Sequence, residues 1–148
     1  MVIKLKRIES EQFSDFYQQI DDIELFQGDT VTLPFQFTDY NEDVIPLIVS
    51  DKSKTSVEWR LCPYGQPQNP ILQLKSTQAN NKTDDVYIDT DTNVAYVNLD
   101  AARTRNLIYG KYTQQIILHY DFQDGTEPKD FLRAQGFMNF KNKIQDFF

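Results

Sequence analysis

A series of short segments in which apolar and polar side chains alternate limits what this chain can fold into. The longest is residues 111–122, where one face carries mainly large apolar side chains: Tyr112, Ile116, Leu118, Tyr120 and Phe122. A period of two predicts a strand with one buried face. Segments of similar character follow one another between turn residues, at 30–38, 55–62, 71–76, 85–89, 94–99 and 131–140. This succession is typical of an all-β domain.

These segments predict an immunoglobulin-like antiparallel β-sandwich of about seven strands over residues 22–140. Trp59 is expected near the middle of its core. Thr90–Asn93 are expected to form the turn of a hairpin. Pro34 has no N–H to donate, so we predict that its strand lies at a sheet edge or carries a bulge.

Gly110 and Tyr112 stand where a sandwich chain crosses between sheets to enter its penultimate strand. Glycine permits the backbone conformation of such a corner. Tyr112 is then expected to form a tyrosine corner, with its hydroxyl bonded to a carbonyl within residues 102–105. A ligand contact is the alternative role for Tyr112, but alternation places its ring on the apolar face.

The ends of the chain lie outside the strand series, as an N-terminal arm of residues 1–21 and an apolar tail of residues 141–148. Ser10 can cap a short helix, which helical spacing predicts through Ile20. The tail has a second apolar stripe that begins at Phe140. Both ends can pack on their own sandwich or dock on a neighbouring subunit. For the second case the candidate interface residues are Phe13, Phe16, Tyr17, Ile20, Ile144, Phe147 and Phe148.

Composition excludes several classes of partner. The formal net charge of −7 argues against binding to nucleic acid or to an anionic membrane surface. We see no signal peptide and no apolar run long enough to span a membrane. We therefore expect a protein made in the cytoplasm without membrane insertion. Cys62 is the single cysteine, so no disulfide can form within the chain.

No arrangement of residues indicates catalysis. His119 is the only histidine, and a nucleophilic pair would require contact with Cys62. Both are expected on the polar faces of their strands, as a surface imidazole and a passive thiol. Asp89, Asp91 and Asn93 alternate like calcium ligands, but the glycine that such a loop needs is absent, which favours a plain turn. We predict no catalytic residue, no cofactor and no metal.

Five stretches together resemble a known family: IELFQGDTVTLPFQFTD, VEWRLCPYGQ, NVAYVNL, LIYGKYTQQIILHYDFQDG and FMNF. The chain resembles the immunoglobulin-like domain at the N-terminus of phage baseplate upper proteins and of related phage tail proteins. The resemblance covers about residues 22–140. The matching positions are Gly28, Asp29, Phe37, Asp39, Trp59, Gly110 and Tyr112.

The resemblance implies a virion structural protein that joins other subunits of the tail or baseplate. Family members continue into a long trimeric stalk, whereas this sequence stops at Phe148, which leaves a link to receptor-binding proteins open. We expect a homo-oligomer, a complex with phage tail proteins, or both, located in the virion. The alternative is a module that binds carbohydrate or peptide through loop aromatics such as Tyr64 and Tyr109.

Overall fold

A computed structural model describes residues 2–6, 18–38, 43–47, 55–66, 68–77, 79–120 and 129–141. These residues form nine strands and one short helix. The elements are β1 Ile3–Lys6, β2 Gln18–Phe26, β3 Val31–Thr38, β4 Thr55–Pro63, β5 Leu72–Lys75, β6 Val86–Asp89, β7 Val94–Leu99, α1 Ala101–Arg105, β8 Gly110–Tyr120 and β9 Lys129–Lys141.

The strands form two sheets, with the orders β1-β3-β7-β6 and β2-β9-β8-β4-β5. The all-β sandwich prediction is confirmed. Strands β3, β7 and β6 take the places of B, E and D in an immunoglobulin sandwich, and β9, β8 and β4 those of G, F and C. Strand β5 lies beside β4, as C′ does in variable-type domains. The predicted hairpin is also present, since β6 and β7 pair as antiparallel neighbours across residues 90–93.

The core lies between the inner faces of the sheets. Trp59 is fully buried at its centre, as predicted, and its indole N–H donates to Gln114 Oε1 at 3.1 Å. Phe35 and Phe37 enter the same core from the other sheet, on the alternate positions that the pattern of β3 predicts. Burial of such side chains contributes roughly 1.5–3 kcal/mol each.

Strand β2 replaces the end of the predicted helix. Ile20 is paired with Gly136 of β9, and its side chain is only 2% exposed. The helix is therefore wrong at this residue, while the interface role of Ile20 stays a prediction. The pairing slips between Ile20 and Ile23, where β2 carries a bulge. The bulge places two residues, Asp21 and Asp22, between the side chains of Ile20 and Ile23, so the period of two is lost at the start of β2.

Strand β1 also lies within the predicted arm, and it pairs in parallel with β3 from Ile3 opposite Phe35 to Lys6 opposite Thr38. Because β7 covers the other side, β3 is an internal strand, and the prediction of an edge strand at Pro34 was wrong. Pro34 is tolerated because its position precedes the part of β3 that β1 covers.

The remaining terminal predictions fall outside the described residues. This applies to the helix start at Ser10 and to the interface candidates Phe13, Phe16, Tyr17, Ile144, Phe147 and Phe148. Over the described ranges, no helix is long and apolar enough to cross a membrane.

Candidate docking surface

One end of the sandwich is built on the turn between β2 and β3. Gly28 has a φ of 83°, which favours glycine. The Asp29 N–H donates to the Phe26 carbonyl at 3.1 Å, and the Asp29 carboxylate accepts from the Phe26 N–H at 3.0 Å. The Gly-Asp pair of the sequence motif thus stabilises this turn, since Gly28 supplies its backbone conformation and Asp29 supplies both hydrogen bonds to Phe26.

Helix α1 is tied to the same turn. The Asp100 side chain caps its first turn by accepting from the Arg103 N–H at 2.8 Å. Thr104 is fully buried, and its hydroxyl donates to the Asp29 carbonyl at 2.7 Å. Gln27 Nε2 donates to the Leu107 carbonyl at 2.6 Å. The bonds of Thr104 and Gln27 join two parts of the chain that lie far apart in sequence, so they tie α1 to the β2–β3 turn.

The corner into β8 has the predicted form with a different acceptor. Gly110 has a φ of 143°, and the Tyr112 hydroxyl donates to the Ile108 carbonyl at 2.6 Å. The acceptor was predicted within residues 102–105. Those residues belong to α1, and the hydroxyl bonds instead to a carbonyl in the loop that follows the helix. The Tyr112 ring meets Phe140 edge-on at 5.5 Å between centroids. Burial raises the pKa of Tyr112.

Large apolar side chains are exposed at this end. Ile108 is 74% exposed, Tyr109 62%, Tyr64 57% and Ile71 50%. Pro63 lies opposite Tyr112 in the β4–β8 ladder, so Tyr64 and Tyr109 both lie just beyond the paired part of β4 and β8. Ile71 directly precedes β5, which pairs with β4. We call these four residues the end surface.

Two neighbouring side chains, Phe137 and Lys111, fix the orientation of the Tyr64 ring. It packs against Phe137 at 5.6 Å between centroids. The Lys111 ammonium lies 4.9 Å from the Tyr64 ring centre and 4.1 Å from that of Phe137. Such cation–π contacts contribute about 0.5–1 kcal/mol at exposed sites. Tyr64 is therefore oriented rather than freely rotating.

Cys62 and His119, the pair considered for catalysis, lie far apart on the outer face of the larger sheet. Cys62 lies opposite Thr113, whereas His119 lies opposite Ser56. Six residues along β4 span about 20 Å, so the thiol and the imidazole do not meet. His119 Nε2 lies instead 3.9 Å from Glu58 Oε1, a buried carboxylate that also pairs with Arg60. Burial raises the pKa of the Cys62 thiol.

The Asp- and Asn-rich segment between β6 and β7 acts as a turn. Asn93 has a φ of 56°, and its side-chain oxygen accepts from the Leu47 N–H at 3.0 Å. Asp89 accepts from the Asp91 N–H at 3.0 Å. Among the residues that the structure describes, no three of the His, Cys, Asp or Glu side chains are grouped as metal ligands would be.

The sequence placed Tyr64 and Tyr109 as ligand contacts, and the structure puts both at one end of the sandwich. Sequence reasoning missed Ile108 and Ile71, which complete the end surface. Each stands just before a strand, and for Ile71 the prediction of a strand over 71–76 gave no sign that its side chain would be exposed. The one usable signal for Ile108 was its position beside Tyr109 and Gly110 in the corner.

The sequence matches no family model and no curated protein. Among solved structures, the chain is similar to the N-terminal domain of ORF48 of phage TP901-1, with 10% identity and a TM-score of 0.52. That alignment covers 95% of this chain and 96% of the phage domain. This protein therefore shares the fold of a phage domain over nearly its whole length.

Two other solved structures match less closely. The cysteine protease inhibitor EhICP2 of Entamoeba histolytica has 8% identity and a TM-score of 0.34, with 95% of this chain and 96% of that chain covered. AggA, the major subunit of aggregative adherence fimbriae type I of Escherichia coli, has 8% identity and a TM-score of 0.31, with 83% and 90% covered.

Proposed function

We propose that this protein is a non-enzymatic structural or adaptor component of a phage tail or baseplate that assembles with other protein subunits. The observation that carries the proposal is the shared fold with a phage domain, which covers 95% of this chain. The motifs at Gly28–Asp29 and Gly110–Tyr112, which resemble those of phage baseplate upper proteins, support it independently of the fold comparison.

Among the residues that the structure describes, the end surface is the part best suited to such contacts. Exposed apolar side chains that lie together commonly mark protein interfaces. Ile108 and Tyr109 stand on a corner fixed by the Tyr112 and Thr104 hydrogen bonds, so little ordering is needed on binding. A stable interface buries roughly 800 Å² on each partner, which is more area than four side chains can supply. The end surface would therefore be the centre of a larger contact.

Light scattering after size exclusion, over a range of concentrations, tests the assembly role on the full chain. We expect a discrete oligomer, since soluble homo-oligomers usually close by point symmetry. Ile108→Asp should weaken it by about 2 kcal/mol or more, roughly thirtyfold in the dissociation constant. Val44→Asp is the matched control, because Val44 is 41% exposed beside the opposite end of β3.

Other outcomes redirect or reject the proposal. If Phe16→Ser or Phe147→Ser dissociates the oligomer and Ile108→Asp does not, the interface lies at the chain ends. A monomer at every concentration rejects the homo-oligomer. Antibodies against the chain should label the tail of the encoding phage in electron micrographs, and unlabelled particles would reject the virion role.

The alternative is a module that binds carbohydrate or peptide through Tyr64 and Tyr109. It predicts a monomer whose affinity for such a ligand collapses in Tyr64→Ala or Tyr109→Ala. The Tyr64 ring already packs against Phe137 and the Lys111 ammonium, which leaves less of it for stacking on a sugar.

A further inference from the structure

The two long sides of the sandwich differ. On one side, the edges of the two sheets are linked, because Ser76 beyond β5 forms a bridge with Val86 of β6. On the other side, the edge strands are β1 and β2. Between them lies a groove of about 410 Å³, which is lined by residues 2–5, 20–23 and 32–34.

The floor of the groove is apolar and belongs to the core. Leu5, Ile20 and Leu33 are buried there, and Ile3 and Ile23 are partly buried beside them. Val2 stands exposed at the mouth. A volume of this size lies within the range of about 300–1,000 Å³ that is usual for binding pockets. Because Leu5, Ile20 and Leu33 are almost fully buried, apolar side chains that enter the groove would contact mainly Val2, Ile3 and Ile23 above this floor.

The walls of the groove contain backbone with incomplete pairing. The Asn98 N–H donates to the Asp85 carbonyl on the β6 side, so Thr32, which lies opposite Asn98, turns its own N–H and C=O away from β7. Strand β1 begins to pair only at Phe35, and within the described residues the Thr32 backbone has no ladder partner. An extended segment is the kind of ligand that pairs with such groups.

The rim adds charge. The bulge of β2 turns Asp21 and Asp22 outward, and both are exposed. Lys4 stands on the opposite wall, so the rim has one positive and two negative groups, a net charge of −1. The chain as a whole carries −7. A segment with basic residues on its outer face complements the β2 wall.

We infer that this groove binds an extended segment of a partner protein, with apolar side chains on the floor and lysine or arginine beside Asp21 and Asp22. The alternation of a strand supplies both faces at once. The inference rests on the groove alone and not on the assembly role proposed above, which concerns the end surface.

The test uses the isotope-labelled full chain and a short capped peptide of alternating valine and lysine as the probe. Amide resonances of residues 2–5, 20–23 and 32–33 should shift on titration. A serine–lysine peptide of the same length and charge should bind at least about tenfold more weakly, because it lacks the apolar face. Equal binding of the two peptides, shifts that map elsewhere, or no binding at all would overturn the inference.

Two variants of the protein sharpen the test. Asp22→Lys should weaken the valine–lysine peptide about tenfold, whereas Asp91→Lys makes the same charge change on the exposed β6–β7 turn and should have little effect. Thr32→Pro removes an N–H that β7 does not use and should also weaken binding while the remaining spectrum keeps its dispersion. Equal loss in Asp22→Lys and Asp91→Lys would reject the groove. So would concentration-dependent shifts of the same amides without peptide, which would identify a second copy as the occupant.

Discussion

The backbone of Ile20 lies directly against Gly136, across the pairing of β2 with β9. A Cβ atom on Gly136 would collide with the Ile20 carbonyl oxygen and stand 2.9 Å from the Ile20 Cβ atom. The close approach lies next to the bulge of β2 between Ile20 and Ile23. Gly136 is thus required by a close approach, and its neighbour β2 depends on it.

Gly136→Ala should destabilise the fold by about 1–3 kcal/mol, because either strand must shift to admit the methyl group. Denaturant unfolding gives the free energy. Asn139→Ala on the same strand is the control, since its half-buried side chain leaves no such collision and should cost much less. An unchanged stability in Gly136→Ala would show that β2 can move away at no cost.

Tyr112→Phe should lower the free energy of unfolding by about 1 kcal/mol, because it removes the hydrogen bond to Ile108 and keeps the ring against Phe140. Tyr109→Phe removes a hydroxyl from an exposed tyrosine three residues earlier and should be close to neutral. Equal effects of the two substitutions would contradict a structural role for the corner.

The same hydroxyl should make stability depend on alkaline pH. Burial raises the pKa of Tyr112 above its ordinary value of about 10. The unfolded chain then loses this proton first, so the stability from Tyr112 is present below pH 10 and is lost as pH rises through the folded pKa. The stability advantage of the unmodified protein over Tyr112→Phe should shrink above about pH 10 in paired unfolding curves. A constant difference would contradict the raised pKa.

Thr104→Val should destabilise the protein by about 1 kcal/mol, because it removes the hydrogen bond from this buried side chain to the partly buried Asp29 carbonyl while the side-chain shape is kept. Thr90→Val on the exposed turn is the control. Hydrogen exchange should show faster opening of residues 26–30 in Thr104→Val than in the control. Exchange that accelerates uniformly over the whole chain would indicate that Thr104 does not specifically hold the turn.

Cys62 should be inert toward thiol reagents in the folded protein. Its side chain is 0% exposed, and burial raises the pKa of the thiol, so reactive thiolate is scarce. We expect native labelling at least about a hundredfold slower than in denaturant, since reaction requires opening of the sheet. A Cys62→Ser, Thr92→Cys protein, with its thiol on the exposed turn, should label quickly. Comparable rates for both proteins would show that Cys62 is accessible.

The strands from β3 to β9 were predictable because their signal is local. Alternation in residues 55–62 alone indicates which side of β4 holds Trp59 and which holds Glu58. The tyrosine corner was predictable in kind, from glycine and tyrosine at the entrance to β8. Its acceptor was not, because the path of residues 101–109 depends on α1 and on the hydrogen bond from Thr104 to Asp29.

The environment of Pro34 shows the same limit. Its missing N–H is a local fact that correctly forbids one ladder bond. Whether that makes β3 an edge strand depends on where β1 starts, and β1 lies some thirty residues earlier in the chain, with its first pair at Ile3 and Phe35. The chemistry of one residue therefore did not determine the position of its strand in the sheet.

By itself, the sequence determined the all-β class, the faces of most strands and the residues of the corner, since period-two burial and glycine conformation are properties of neighbouring residues. Only the tertiary structure decided that β1 and β2 join the sandwich, that Ile20 is core, and that a groove opens between their edges. The physical reason is that a short or bulged strand gains its stability from long-range pairing, as Ile20 does with Gly136, and such pairing leaves no regular period in the sequence.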